Sequence, residues 1–262
     1  MSGPRQRLAE LVRNEVPTAL VTIVRGPQEA LGRKMVVQLD QPSEGELLAE
    51  LDAEIESRTR ELLTKGKSDT IVLDRPDGEV ELFVESYPAP ETLLIFGGVH
   101  TAAHLAKFAA MLGFRVRIID ARGLFATRER FPDVDEVILA RAEDYLKTAK
   151  IGPNTYVTVL THDPKLDDPA LLHFMKVDHL RYLGAVGSRK TNAARMERLL
   201  EKGATPEQIA RIHAPIGLDL GAQTPEEIAL SIISEIVAVK RGRSGGGLRK
   251  QATRPEALAT SA

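Results

Sequence analysis

The 262-residue sequence contains no cysteine. Disulfides, thiolate metal sites, iron–sulfur ligation and a cysteine nucleophile are therefore excluded. It also lacks a charge excess, since 35 basic residues face 37 acidic ones for a formal net charge of −2. A protein built around a nucleic-acid backbone usually carries basic excess, so nucleic acid is not an expected partner. No stretch approaches the roughly 18 apolar residues that a membrane helix needs. The segment Met1–Val12 holds Arg5, Arg7 and Glu10 without a continuous apolar core, which reads as neither signal peptide nor anchor. The expectation is a cytoplasmic protein with no membrane contact. No internal repeat is visible.

What is present looks globular. Hydrophobic residues make up 43% and charged residues 27%, ordinary usage for a chain that buries a core. The length suits one large domain or two modest ones. Residues 4–14 and 44–64 read as helices, the second from Leu48, Leu51, Ile55, Leu62 and Leu63 at roughly helical spacing. Runs rich in β-branched residues at 19–24, 35–39, 70–73 and 80–84 read as strands. Arg75-Pro76-Asp77-Gly78 has the turn chemistry to join the last two. Residues 1–87 therefore form an expected small α+β domain. Tyr87-Pro88-Ala89-Pro90 supplies an extended connector, with 88–90 as the linker.

From residue 91 to 243 the pattern alternates strand and helix, with strands expected at 92–96, 115–119, 137–139, 156–160 and 181–186. That alternation predicts right-handed crossovers and a doubly wound, Rossmann-like parallel sheet, so the fold class is α/β. Thr205-Pro206-Glu207-Gln208 and Thr224-Pro225-Glu226-Glu227 fit capping boxes with proline at the first helical position. Asp168-Pro169 reads as a third helix start. From Ser244 the composition falls to Ser-Gly-Gly-Gly and a polar tail with Arg249, Lys250 and Arg254, so 244–262 is expected to be disordered.

Ile95-Phe96-Gly97-Gly98-Val99-His100-Thr101-Ala102 lies where a dinucleotide fold places its glycine-rich turn, and Asp120, 23 residues after Gly97, lies where that fold places its ribose acceptor. The match is incomplete. Val99 stands at the second glycine position, where a β-branched side chain obstructs a pyrophosphate. The plainer reading is that Gly97 and Gly98 only permit a tight turn.

Open α/β sheets bind ligands beyond the carboxyl ends of their strands. Segments 120–122, 161–164 with Asp167, 184–190 and 213–219 are expected to converge there with the glycine turn. His162 and Asp163 could form a general base with its orienting carboxylate, or part of a metal pair with His100 or His213. The histidines lack helical ligand spacing, and neither a metal set nor a catalytic residue is assigned. Gly187-Ser188-Arg189-Lys190 suits an anion at a helix start, or is a capping serine followed by solvated basic residues.

Together these segments resemble the XdhC/CoxI family, the accessory factors of xanthine dehydrogenase and related molybdenum hydroxylases. The resemblance runs from about Ala19 to Arg243. It is strongest at Leu160–Leu171 (LTHDPKLDDPAL), Tyr182–Lys190 (YLGAVGSRK), His213–Gly221 (HAPIGLDLG) and Thr224–Ala229 (TPEEIA). The resemblance implies a two-domain protein that binds molybdenum cofactor, assists its sulfuration by a cysteine desulfurase and delivers it to a hydroxylase apoenzyme. It implies a carrier more than a turnover enzyme. On this reading the cofactor is expected in the crevice where those strand-end loops converge, at Gly97, Gly98, His100, Asp120, His162, Asp163, Ser188 and Arg189.

The sequence departs from the family twice. Gly32–Val37 (GRKMVV) matches a family strand, but Gln41–Glu46 (QPSEGE) replaces the glycine-rich segment with its cysteine. Val99 replaces the glycine before the family histidine matched by His100. Two other readings stand beside this one, the first opposed by Val99 and the second supported by the missing cysteine motif. One is an NAD(P)-dependent oxidoreductase with His162 as proton donor. The other is a regulatory protein that keeps a partner surface and has lost its ligand. A homodimer is compatible with each.

Overall fold

The structure, a computed structural model, describes residues 3–76 and 78–248. The chain divides between Pro90 and Glu91 into two compact units.

The first unit contains helix α1 (Pro4–Arg13), strands β1 (Thr18–Arg25) and β2 (Lys34–Gln38), helix α2 (Asp52–Thr64), and strands β3 (Asp69–Arg75) and β4 (Gly78–Tyr87). The strands form one antiparallel sheet in the order β2-β1-β4-β3. Alternation sorts their side chains. Ala19, Val21, Ile23, Val80, Leu82 and Val84 join Ile55 and Leu63 of α2 in one core, while Leu20 and Val36 join Leu11 of α1 on the other face. All four expected strands form. The helix expected over 44–64 is corrected at its start. Glu44 bridges back to Val36, and Gly45 sits at φ +106° with a Cβ position only 2.5 Å from the Lys34 carbonyl oxygen. The helix begins at Asp52, whose carboxylate accepts from the Leu48 amide at 2.8 Å. The segment that replaces the family's cysteine motif is thus a tight return along β2. Asp77 of the expected turn lies outside the described residues.

The second unit contains β5 (Thr92–Phe96), α3 (His100–Met111), β6 (Arg115–Asp120), β7 (Glu136–Leu139), α4 (Ala142–Leu146), β8 (Thr155–Val159), α5 (Pro164–Phe174), β9 (Tyr182–Ala185), α6 (Arg189–Glu201), α7 (Pro206–Ala210) and α8 (Pro225–Lys240). Its five strands are parallel in the order β7-β6-β5-β8-β9, as the strand–helix alternation predicts. Both faces are covered, so the central strands β5 and β8 are buried along almost their whole length. Leu93 and Ile95 pack towards α3 and α8, and Leu94 and Phe96 pack towards α5 and α6. The strand order reverses between β5 and β8, the switch point where such sheets place ligands.

Both capping boxes form at Thr205 and Thr224. The third expected start is corrected. Asp163, not Asp168, caps α5 by accepting the Lys165 amide at 2.9 Å, Pro164 occupies the first turn, and Pro169 lies inside the helix. The acceptor Pro169 leaves free, the carbonyl of Lys165, belongs to an exposed residue that water can serve. Asp168 is fully buried instead and pairs with Lys202 at 2.7 Å and Arg198 at 3.5 Å, tying α5 to α6.

No described helix is long and apolar enough to cross a membrane. Ser244–Leu248 carry no helix or strand, and the rest of the expected tail, with Arg249, Lys250 and Arg254, lies outside the described residues.

Candidate functional site

Three strand ends build the crevice. After β5, Gly97 adopts φ +110°, which favours glycine, and a Cβ there would lie 2.6 Å from Thr161 Cγ2 after β8. The two central strand ends therefore touch through a glycine. Gly98 donates its N–H to Asp120 Oδ2 at 2.8 Å, joining the glycine turn to the end of β6. Asp120 also accepts from Arg122, from N at 2.9 Å, Nε at 2.9 Å and a terminal nitrogen at 2.7 Å. Burial opposes ionisation of Asp120, but the bonds from Arg122 and Gly98 outweigh it and hold the carboxyl below its ordinary range. The sequence pattern marks Asp120 as a ligand acceptor; the structure commits it to its own backbone and to Arg122.

A second network joins β8 to β9. Asp167 Oδ1 accepts from the Thr161 hydroxyl, and Asp167 Oδ2 pairs with Arg195 at 2.9 Å. The same guanidinium bonds Asn192 Oδ1 and donates to the Val186 carbonyl at 2.8 Å. Asn192 in turn donates to the Gly187 carbonyl at 2.9 Å. Thr161, Asp167, Asn192 and Arg195 are all buried. Burial pushes the Asp167 carboxyl up, against the bonds from Thr161 and Arg195. The network fixes the turn that carries Ser188 and Arg189. Ser188 caps α6 by accepting the Thr191 amide at 3.1 Å, and Arg189 stands exposed at the first helical position.

The predicted residues thus fall into two groups. Gly97, Gly98 and Asp120 are internal struts of the turn. His100, His162, Asp163, Ser188 and Arg189 are exposed at the starts of α3, α5 and α6, and His100, His162 and Arg189 make no hydrogen bond or ion pair among the described residues. A small cavity of about 20 Å³ is lined by Gly97, Asp120, Thr161 and Leu166 among others, and by none of these five exposed residues. Among the described residues no three His, Asp or Glu side chains converge to hold a metal ion.

His213 is not part of this group. It pairs alongside Gly184 in the middle of β9, and its ring lies 4.6 Å from that of Tyr182 at the strand's start. Its Nδ1 is 3.3 Å from Glu235 Oε1 on α8. Glu235 also accepts from the Tyr182 hydroxyl and, at 2.8 Å, from the Gly217 amide. Burial opposes the Glu235 charge, yet these donors hold its carboxyl below the usual range, while burial and the Glu235 charge hold the Tyr182 hydroxyl well above its own.

Residues 93–236 of this chain match the XdhC Rossmann domain. The chain belongs to the XdhC family. The protein YqeB of Escherichia coli K12 is 31% identical over 176 residues, covering 66% of this chain and 32% of that protein. A Bacillus subtilis 168 protein, named as a probable xanthine dehydrogenase component, is 31% identical over 172 residues, covering 66% and 50%. The molybdenum cofactor insertion chaperone PaoD of E. coli K12 is 30% identical over 148 residues, covering 56% and 40%. This XdhC chain spans half the length of these relatives or less. In fold it resembles a crystal structure described as a xanthine dehydrogenase from Bacillus halodurans, with a TM-score of 0.54 at 22% identity over 94% of this chain and 97% of that one.

Sequence reasoning missed Arg195, Asn192, Phe125 and Glu235 in this XdhC chain. Glu235 left a trace: it is a lone acid among Ile232, Ile233, Ile236 and Val237 on the apolar stripe of α8. An acid buried in such a stripe needs donors. Arg195 and Asn192 left none, because their α6 is rich in polar residues throughout.

Proposed function

We propose that this chain is an accessory factor of a molybdenum hydroxylase of the xanthine or carbon monoxide dehydrogenase type. It takes molybdenum cofactor as cargo, assists its sulfuration by a cysteine desulfurase and delivers it to the apoenzyme. Family membership supports this reading, as do the roles that the names of PaoD and of the Bacillus subtilis relative state.

One observation carries the reading to named residues. The start of α6 presents the exposed Arg189 and the amides of Arg189 and Lys190, beside a Ser188 hydroxyl that caps the Thr191 amide, on a loop held by the buried Asp167–Arg195 pair. That is the chemistry of a phosphate seat, and the cargo is a phosphorylated pyranopterin. The donor set fits one end of the cargo better than the other. A phosphate and a pterin find hydrogen-bonding groups here. The metal finds no thiolate anywhere in the chain. In this reading His100 and His162 donate hydrogen bonds to oxo or sulfido groups and do not ligate the metal, and retention depends on the phosphate end.

The reading is tested by maturation of a co-expressed hydroxylase. Arg189→Ala and His162→Ala are expected to reduce its activity several-fold without lowering the accessory factor's abundance. Full maturation with both variants would transfer the role to a partner-binding surface and remove the cargo site.

A further inference from the structure

In a doubly wound fold the glycine-rich turn leaves its backbone open to a dinucleotide's pyrophosphate. Here Gly98 lies between the first glycine of the turn and Val99, and the chain itself packs against it. A Cβ on Gly98 would lie 2.3 Å from the main-chain oxygen of Phe125 and 3.2 Å from its Cβ. The Gly98 N–H is donated to Asp120 at 2.8 Å, and the Gly98 carbonyl accepts from Arg130 at 3.2 Å. Asp120, placed to accept a ribose hydroxyl, is saturated by Gly98 and Arg122. The covering segment is itself pinned. The Phe125 ring lies 4.0 Å from the Arg122 guanidinium and 5.2 Å from that of Arg130, and the Phe125 and Ala126 amides close a turn on the Arg122 carbonyl. The Phe125 carbonyl also puts partial negative charge against the turn. The obstacle is therefore electrostatic as well as steric.

We propose that residues 121–130 are a built-in plug of the nucleoside half of the crevice. The site takes a ligand that ends in a phosphate monoester and excludes ligands whose phosphate bridges to a nucleoside. This rests on the crevice reading above and narrows its substrate class. It also moves the obstacle away from Val99. Val99 caps α3 in an extended conformation that any residue adopts, whereas the filled space is at Gly98.

The test is calorimetric titration of the full chain with NAD⁺ and with ADP-ribose. Three proteins are compared: wild type, Phe125→Ala, and Arg122→Ala/Arg130→Ala. Wild type is expected to show no saturation up to about 1 mM, and the loosened variants to bind ADP-ribose at least about tenfold more tightly than wild type. Phe125→Ala leaves the Asp120 bonds in place, so it decides the question if the double variant does not fold. Micromolar binding by wild type would overturn the proposal. So would a folded variant, checked by circular dichroism and melting, that binds no better than wild type. The probes contain no pterin, so a failure of cofactor binding leaves this result standing, and the reverse also holds.

Discussion

The Arg195 guanidinium and the Asp167 carboxylate meet at 2.9 Å with 2% of each side chain exposed. This one pair ties the loop after β8 to the loop after β9. Through Thr161 it also reaches Gly97, so the ends of three strands are linked.

Arg195→Ala leaves the buried Asp167 carboxylate without its charged partner and the part-buried Val186 carbonyl without this donor. Breaking a buried pair in this way costs about 3–5 kcal/mol. Urea denaturation should show the loss directly. Replacing both partners, as in Asp167→Leu/Arg195→Met, should cost less than the sum of the single losses. An additive double variant would mean that the pair is not coupled.

Gly98 and a distant control, Gly113, separate clash from strain. Gly98→Ala drives a methyl against the Phe125 carbonyl, and an overpacked site costs about 1–3 kcal/mol. Gly113 has φ +84° but open space around it, so Gly113→Ala meets backbone strain alone. Thermal melts of the two variants should place Gly98→Ala lower. Equal melting temperatures would show that the 121–130 segment does not rest on the turn.

Val99→Gly restores the missing glycine of the dinucleotide pattern. The account predicts no gain in NAD⁺ affinity, because the filled space is at Gly98. A sharp gain would revive the oxidoreductase reading.

Acid should weaken the second unit through Asp120 and Glu235. Both carboxyls are held below their ordinary range in the fold by hydrogen bonds that outweigh burial. Their stabilising contribution is present above about pH 4, where unfolded carboxyls ionise, and is lost as pH falls through the lower folded values. Asp167 runs the other way. Its raised value means that ionisation opposes folding as pH climbs through the carboxyl range. Melting temperatures between pH 3 and pH 7 check the balance. Asp120→Asn should narrow the difference between the two ends of that range, and an unchanged difference would contradict the assignment.

Much of the architecture was legible in the sequence because hydrophobic periodicity and capping chemistry are local. The four strands of the first sheet, the alternating strands and helices of the second, and the caps at Thr205 and Thr224 each follow from a few adjacent residues. The misplaced start of α5 shows where local evidence divides. Asp163-Pro164 and Asp168-Pro169 carry the same signal five residues apart, and burial of Asp168 against Lys202 decides between them. The crevice was legible as a set of loops but not as a mechanism. Asp120 reads as a ligand acceptor until Arg122, two residues later, is seen folded back onto it. Phe125 reads as an ordinary loop aromatic until its carbonyl meets Gly98. These contacts depend on how loops from separate strands stack, which no single window of sequence contains.

In the proposed reading, the α6 end of the crevice holds molybdenum cofactor without a thiolate. Its most direct test is anaerobic titration of the purified protein with molybdenum cofactor, beside Arg189→Ala. The account predicts binding at micromolar concentration or below, weakened about tenfold or more by the variant. Absence of binding, or binding that Arg189→Ala leaves unchanged, would contradict it.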